Sequence, residues 1–252
     1  LKLDPTSKSN SDTDRDSWKN LGSESKVTCT FAGFKWGGDG WLNGALKLTD
    51  NARLTINYNP LKSTTAHNDS GFAYVLKYQV SNVRDSDAVV LSCVNSKGTG
   101  FVITATQIKM VSSAGSTVLM KMASDITYEI AFVSFPDLSS STNEYEKENT
   151  LMLSLYINGI LSGSIQRGGS TDNIYQEDTE SIPITAGSSS ADLSIYLMRC
   201  YTNYLSDSQI LNCYIIDQDS ITKMNELYYK NDILVGGEVS VSGVPDDLGY
   251  FI

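Results

Sequence analysis

The run Glu144-Tyr145-Glu146-Lys147-Glu148 places three acids at alternate positions. In a strand, alternation would set all three on one face, and two carboxyls about 5 Å apart can act as nucleophile and acid/base in glycoside hydrolysis. The surrounding segment, SSSTNEYEKENT, has no apolar alternation, so these acids read as a solvated loop. His67, the single histidine, lies in the polar run STTAHNDSG and reads as a surface residue rather than a general base. No serine stands in a G-x-S-x-G elbow, and no phosphate-cradling G-x-x-x-x-G-K-[ST] or G-x-G-x-x-G stands between a strand and a helix. Nucleophilic catalysis and nucleotide binding have no residues to carry them, and the chain reads as non-enzymatic.

Two binding chemistries have better material. Asp39, Asp69, Asp85, Asp87, Asp172 and Asp178 are loop acids whose hard oxygens suit Ca²⁺, although none has the spacing of an EF-hand. Sugars stack on exposed aromatic rings while Asp and Asn accept their hydroxyl protons. Trp36 and Trp41 flank a glycine-rich bend, and Tyr145 and Tyr175 lie in polar loops.

The rest of the chain limits what could hold these residues. At 252 residues it can bury a substantial core, the buried fraction rising toward ~70% at this length. A formal charge of −10 and a pI near 4.5 argue against a nucleic-acid partner, which needs clustered Lys and Arg. No apolar run approaches the ~20 residues that span a bilayer, so membrane insertion is not expected. The opening LKLDPTSKSNSDTDRDSWKN has no signal-like apolar core. Beginning without Met and ending on GYFI, the chain reads as a piece of a longer polypeptide. Cys29, Cys93, Cys200 and Cys213 are widely spaced without a CxxC pair, and one histidine cannot complete a zinc set. They read as buried free thiols, which implies assembly in a reducing cytosol.

Short alternating segments punctuated by turn residues make up most of the chain. Trp18 and Leu21 anchor the polar start, and VTCTF opens the β pattern at Val27. The bend Gly33–Gly40 leads to ALKL and ARLTINY, the second placing Leu54, Ile56 and Tyr58 on one face. Further strands are expected in Phe72–Val80, AVVLSCV, GFVITATQIKMVSS, TVLMKMA and Ile126–Phe135. LMLSLYI and ILSGSIQ flank Asn158-Gly159, which tolerate the positive φ of a tight two-residue hairpin. PITAGS leads to the closing strand LSIYLMRCY. Helical spacing appears in Ser206–Ile216, with Ser206 as the cap, and in Ser220–Tyr229, with Ile221, Met224, Leu227 and Tyr228 on one face. Residues 235–252 turn β-like again. Many short strands with little helix predict an antiparallel sandwich or jelly roll.

Several stretches, in order, carry a family resemblance: Trp18-Lys19-Asn20-Leu21-Gly22, Gly40-Trp41, Gly44-Ala45-Leu46-Lys47-Leu48, Asn82–Val90, Tyr156-Ile157-Asn158-Gly159 and Ile195–Ile216. Together they resemble the laminin-G-like, concanavalin A-like lectin/glucanase domain of bacteriophage and prophage tail or fibre proteins, although the usual Ser after Leu21 is missing. The resemblance spans Trp18–Asp217. It implies an all-β, antiparallel concanavalin A-like jelly roll with one or two short C-terminal helices. The implied division is an N-terminal extension over 1–17, the jelly roll over 18–217, a helical linker over 218–234 and the start of a following β segment over 235–252.

The same resemblance implies a non-catalytic structural and adhesion module of a virion tail or fibre, made in the host cytoplasm. Its partners would be host-surface carbohydrate and other virion proteins or copies of itself. Carbohydrate would meet Trp36, Tyr145 and Tyr175. Ca²⁺, which sandwiches of this family often hold at a loop rim, would meet Asp85, Asp87 and Asp172. Trp41 packs the core by its match, and Arg199 pairs with an acid or with backbone carbonyls at a sheet edge. Two alternatives remain: a purely architectural virion domain without ligand, and a glycoside hydrolase of the same fold using Glu144, Glu146 and Glu148.

Overall fold

The computed structural model describes residues 2–3, 8–18, 27–59, 72–95, 98, 100–112, 115–136, 151–167, 182–201 and 203–229. The chain forms two compact units, Leu1–Tyr214 and Ile215–Ile252. The first is a two-sheet antiparallel sandwich. One sheet contains, in order, β13 (Ile160–Arg167), β12 (Leu151–Ile157), β11 (Thr127–Pro136), β6 (Phe72–Ser81), β15 (Asp192–Tyr201), β4 (Ala45–Leu48) and β3 (Gly40–Leu42), with β1 (Lys2–Leu3) also paired to β15. The other contains β10 (Gly115–Lys121), β9 (Gln107–Ser112), β8 (Gly100–Thr104), β7 (Val89–Val94), β14 (Ile184–Ala186), β5 (Arg53–Ile56) and β2 (Cys29–Ala32). The fold is the all-β sandwich that the alternating segments predict.

Alternation decides which side chains meet between the sheets. Along β6, Tyr74, Leu76 and Tyr78 face the main core, while Ala73 and Val75 face the opposite surface of the sheet. Phe101 of β8 stacks on Phe132 of β11 at 3.9 Å between ring centroids, and Tyr74 lies 5.2 Å from Phe101. Aromatics from both sheets thus interlock at the centre. The outer surface carries a smaller cluster of Ala73, Val75, Ala131, Val133 and Tyr156, which Ile210 covers from the helix α1 (Asp207–Tyr229).

Local chemistry sets the connections near that helix. Asn158 and Gly159 adopt φ of 51° and 80°, the left-handed pair of a two-residue hairpin turn. A Cβ on Gly159 would also sit 3.0 Å from Leu211 Cδ1 and 3.1 Å from Tyr214 Cβ, so the turn needs glycine for packing as well as for φ. Ser206 caps α1 reciprocally with Gln209. The Gln209 N–H donates to Ser206 Oγ at 3.4 Å, and the Ser206 N–H donates to Gln209 Oε1 at 2.9 Å.

Two segments differ from the sequence expectation. GFVITATQIKMVSS is not one strand: it folds back at Ala105-Thr106 into β8 and β9. The turn has no Gly, Pro or Asn; instead Thr104 Oγ1 accepts the Gln107 N–H at 3.0 Å. The two helical segments are one helix, because Asp217-Gln218-Asp219 between them contains no residue that interrupts helical hydrogen bonding. Leu21 and residues 235–252 lie outside the described residues. No helix among the described residues is long and apolar enough to cross a membrane.

Candidate functional site

Strand direction sorts the connections into two ends of the sandwich. At one end lie residues 33–39, 49–52, 82–88 and 187–191, each passing from one sheet to the other. A ladder of charges ties them together. Lys35 Nζ lies 3.9 Å from Asp50 Oδ2, and Arg84 Nη2 lies 3.7 Å from Asp50 Oδ1 and 3.8 Å from Asp192 Oδ1. Arg84 Nη2 also donates to Ser189 O at 2.9 Å, and buried Asp192 accepts from Asn82 Nδ2 at 2.8 Å.

Trp36 belongs to this end. Its backbone is left-handed, with φ of 58°, which is rare for a bulky residue and needs outside support. Asp39, only 2% exposed, supplies it: its carboxylate accepts the Trp36 N–H at 2.6 Å and the Lys35 N–H at 2.9 Å. Phe34 stacks on the indole at 4.9 Å, and the Arg15 guanidinium lies over the same ring at 5.4 Å. The indole, half-buried, is thus held by an aromatic ring and a cation. Gly40 is the other requirement, since a Cβ there would strike Asn10 Oδ1 and the Trp36 ring. Trp41 is buried in the core, its indole edge-on to Trp18 and its Nε1 donating to Arg15 O at 2.7 Å.

Asp85 and Asp87 sit on the same end, both exposed. Asp85 Oδ1 accepts the Asp87 N–H at 3.0 Å, and Asp87 Oδ1 pairs with Lys109 Nζ at 3.2 Å. Among the described residues no three His, Cys, Asp or Glu side chains gather as a metal site. The acids of this end are engaged by backbone N–H groups, Lys and Arg, which makes the end a brace. Asp69, Asp172 and Asp178 lie outside the described residues, as do His67, Tyr145, Tyr175 and the acids Glu144, Glu146 and Glu148.

The opposite end is where β5, β11 and β13 finish and where β6, β12 and β14 begin. The described segments stop there at Asn59, Pro136 and Arg167 and resume there at Phe72, Leu151 and Ile182. At about 3.3 Å per residue, the ten residues of β6 separate the two ends by roughly 30 Å. Asn59, buried, holds this end together: its Nδ2 donates to Val94 O at 2.7 Å and to Ile182 O at 2.9 Å. Cys93 Sγ donates to Asn59 Oδ1 at 3.6 Å.

The four cysteines are free, with Cys93 and Cys200 buried and Cys29 and Cys213 half-buried. Burial pushes the Cys29 and Cys200 thiols up to about 12 and Cys93 well above its ordinary value, so these thiols are poor nucleophiles. Burial also raises the Tyr201 hydroxyl, to about 12, against the lowering effect of the Arg199 guanidinium beside it. Two residues of the YING and LSD stretches turn out to be partners. Tyr156 Oη donates to Asp207 Oδ1 at 2.6 Å, and burial followed by that carboxylate raises the phenol's pKa.

No protein-family model matches the chain, and no curated protein matches it. Solved structures do. The receptor binding domain of botulinum neurotoxin C/D mosaic serotype is similar at a TM-score of 0.56 and 12% identity, over 85% of this chain and 50% of that one. The botulinum neurotoxin serotype D binding domain gives 0.55 and 13%, over 85% and 50%. The binding domain of Paraclostridial Mosquitocidal Protein 1 gives 0.51 and 14%, over 79% and 49%. The chain spans about half the length of these domains. At such identities the shared property is the fold, an all-β sandwich.

Proposed function

We propose that the chain is a non-catalytic binding and adhesion module that attaches to host-surface carbohydrate as part of a phage tail or fibre. The reading is carried by the sandwich, a fold this chain shares with toxin receptor-binding domains. Carbohydrate is bound at the end pinned by Asn59, with Tyr145 and Tyr175 as stacking residues. Two observations support that placement. The Trp36 indole already has Phe34 and Arg15 as ring partners. The opposite end is pinned by Asn59, and binding residues commonly sit on loops positioned by a rigid scaffold.

A glycan array probed with the whole chain tests the reading. Retention on host-surface glycans is the expected result, and a clean negative across them would leave an architectural domain without ligand. Reducing-sugar release that vanishes in Glu144→Gln would overturn the non-catalytic assignment.

A further inference from the structure

A sheet that ends in an open strand presents backbone N–H and C=O groups that another strand can satisfy. The sheet containing β13 treats its two edges differently. At the β3 edge, Asn10 stands in for a missing strand: its Nδ2 donates to Asp39 O at 2.9 Å and its Oδ1 accepts the Trp41 N–H at 2.6 Å. At the other edge, β13 pairs only with β12 among the described residues. Ile160–Ser164 are all exposed there, Ile160 at 70% and Leu161 at 49%.

The phase of the ladder identifies the open groups. The Asn158 N–H donates to Glu129 O at 2.7 Å, so even-numbered residues of β12 bond to β11 and odd-numbered ones to β13. The β12–β13 partners are Ile157 with Ile160, Leu155 with Gly163 and Leu153 with Ile165, with Ser162 at the bulge. The backbone groups of Leu161, Ser164 and Gln166 therefore point away from β12. The exposed stretch ILSGS is uncharged in a chain of net charge −10, so it can lie against a copy of itself without like-charge repulsion. Leu211, 42% exposed, adds apolar surface beside the same hairpin, next to Gly159.

We propose that β13 binds a second copy of this chain, pairing antiparallel with its partner's β13 so that two sheets become one across a two-fold axis. Because the β3 edge is already satisfied by Asn10, this sheet has one open edge among the described residues, and the contact closes as a dimer rather than propagating as a filament. Ile160, Leu161 and Leu211 flank the strand pair. The contact is independent of carbohydrate binding.

Sedimentation equilibrium of the whole chain over a concentration series is expected to show a reversible dimer of twice the 27.5 kDa chain mass. Hydrogen exchange on the wild-type chain is expected to show the Ser164 and Gln166 amides gaining protection as concentration rises. Leu161→Lys, which puts a cation on each of the two edge strands at the seam, is expected to weaken the dimer roughly tenfold or more without lowering the melting temperature of the monomer. A wild-type chain that stays monomeric throughout overturns the proposal. So does a dimer in which the Ser164 and Gln166 amides exchange freely, a reading that does not depend on whether the variant folds.

Discussion

Tyr74 shows how a single polar atom can weigh on the core. Its side chain is fully buried between the sheets, and Oη has no hydrogen-bond partner among the described residues. An unpaired buried hydroxyl costs about 1–3 kcal/mol, while the ring itself packs against Phe101. Tyr74→Phe keeps the ring and removes the cost, so it is expected to stabilise the protein by about 1 kcal/mol, read as a higher urea midpoint at unchanged slope. A lower midpoint would mean that the hydroxyl is satisfied. The thiols carry a second residue-scale prediction. Cys29 and Cys200 are raised from 9.0 to about 12, so the folded state holds protons that the unfolded chain gives up. Their contribution is therefore complete below pH 9 and is lost as pH rises through about 12. Cys200 alone is expected to make stability fall by about 1.4 kcal/mol per pH unit in that window. Chemical denaturation at stepped pH checks this, and a flat profile above pH 9 would contradict it.

The hairpin and the start of α1 act together. Tyr156 donates to Asp207, Ile210 covers the sheet beside Tyr156, and Leu211 and Tyr214 rest against Gly159. Tyr156→Phe is expected to cost about 1–2 kcal/mol, the range of a hydrogen bond to a partly solvated carboxylate. It is also expected to loosen the first turns of the helix, seen as faster amide exchange at Ile210 and Leu211. Unchanged exchange there would mean that apolar packing alone holds the helix. What was legible at this scale was local. Asn158-Gly159 announces its turn through φ, and Ser206 announces its cap through hydrogen bonding three residues ahead. The β8–β9 turn was not legible, because Thr104 makes it with a side chain that suits a strand equally well. Arg84, Asp50 and Asp192 were missed for a different reason: three distant segments bring them together, and no local spacing marks them.

At the scale of the whole molecule, the alternating segments revealed a sandwich but not which loops share an end. That depends on the direction of each strand, and splitting GFVITATQIKMVSS into two strands decides the direction of everything after it. Once the strands are placed, the candidate residues divide. Trp36, Asp85 and Asp87 belong to a charge-braced end, while Tyr145, Asp172 and Tyr175 fall in the sequence between strands whose described ends lie at the end pinned by Asn59. The proposed adhesion surface lies at the second end. A glycan array probed in parallel with the whole chain and its Tyr145→Ala/Tyr175→Ala double variant tests this reading. The wild-type chain is expected to be retained on a set of host-surface glycans, and the double variant to lose roughly tenfold or more of that signal at an unchanged melting temperature. Equal retention of both proteins would contradict binding at that end, and silence from both would contradict carbohydrate binding itself.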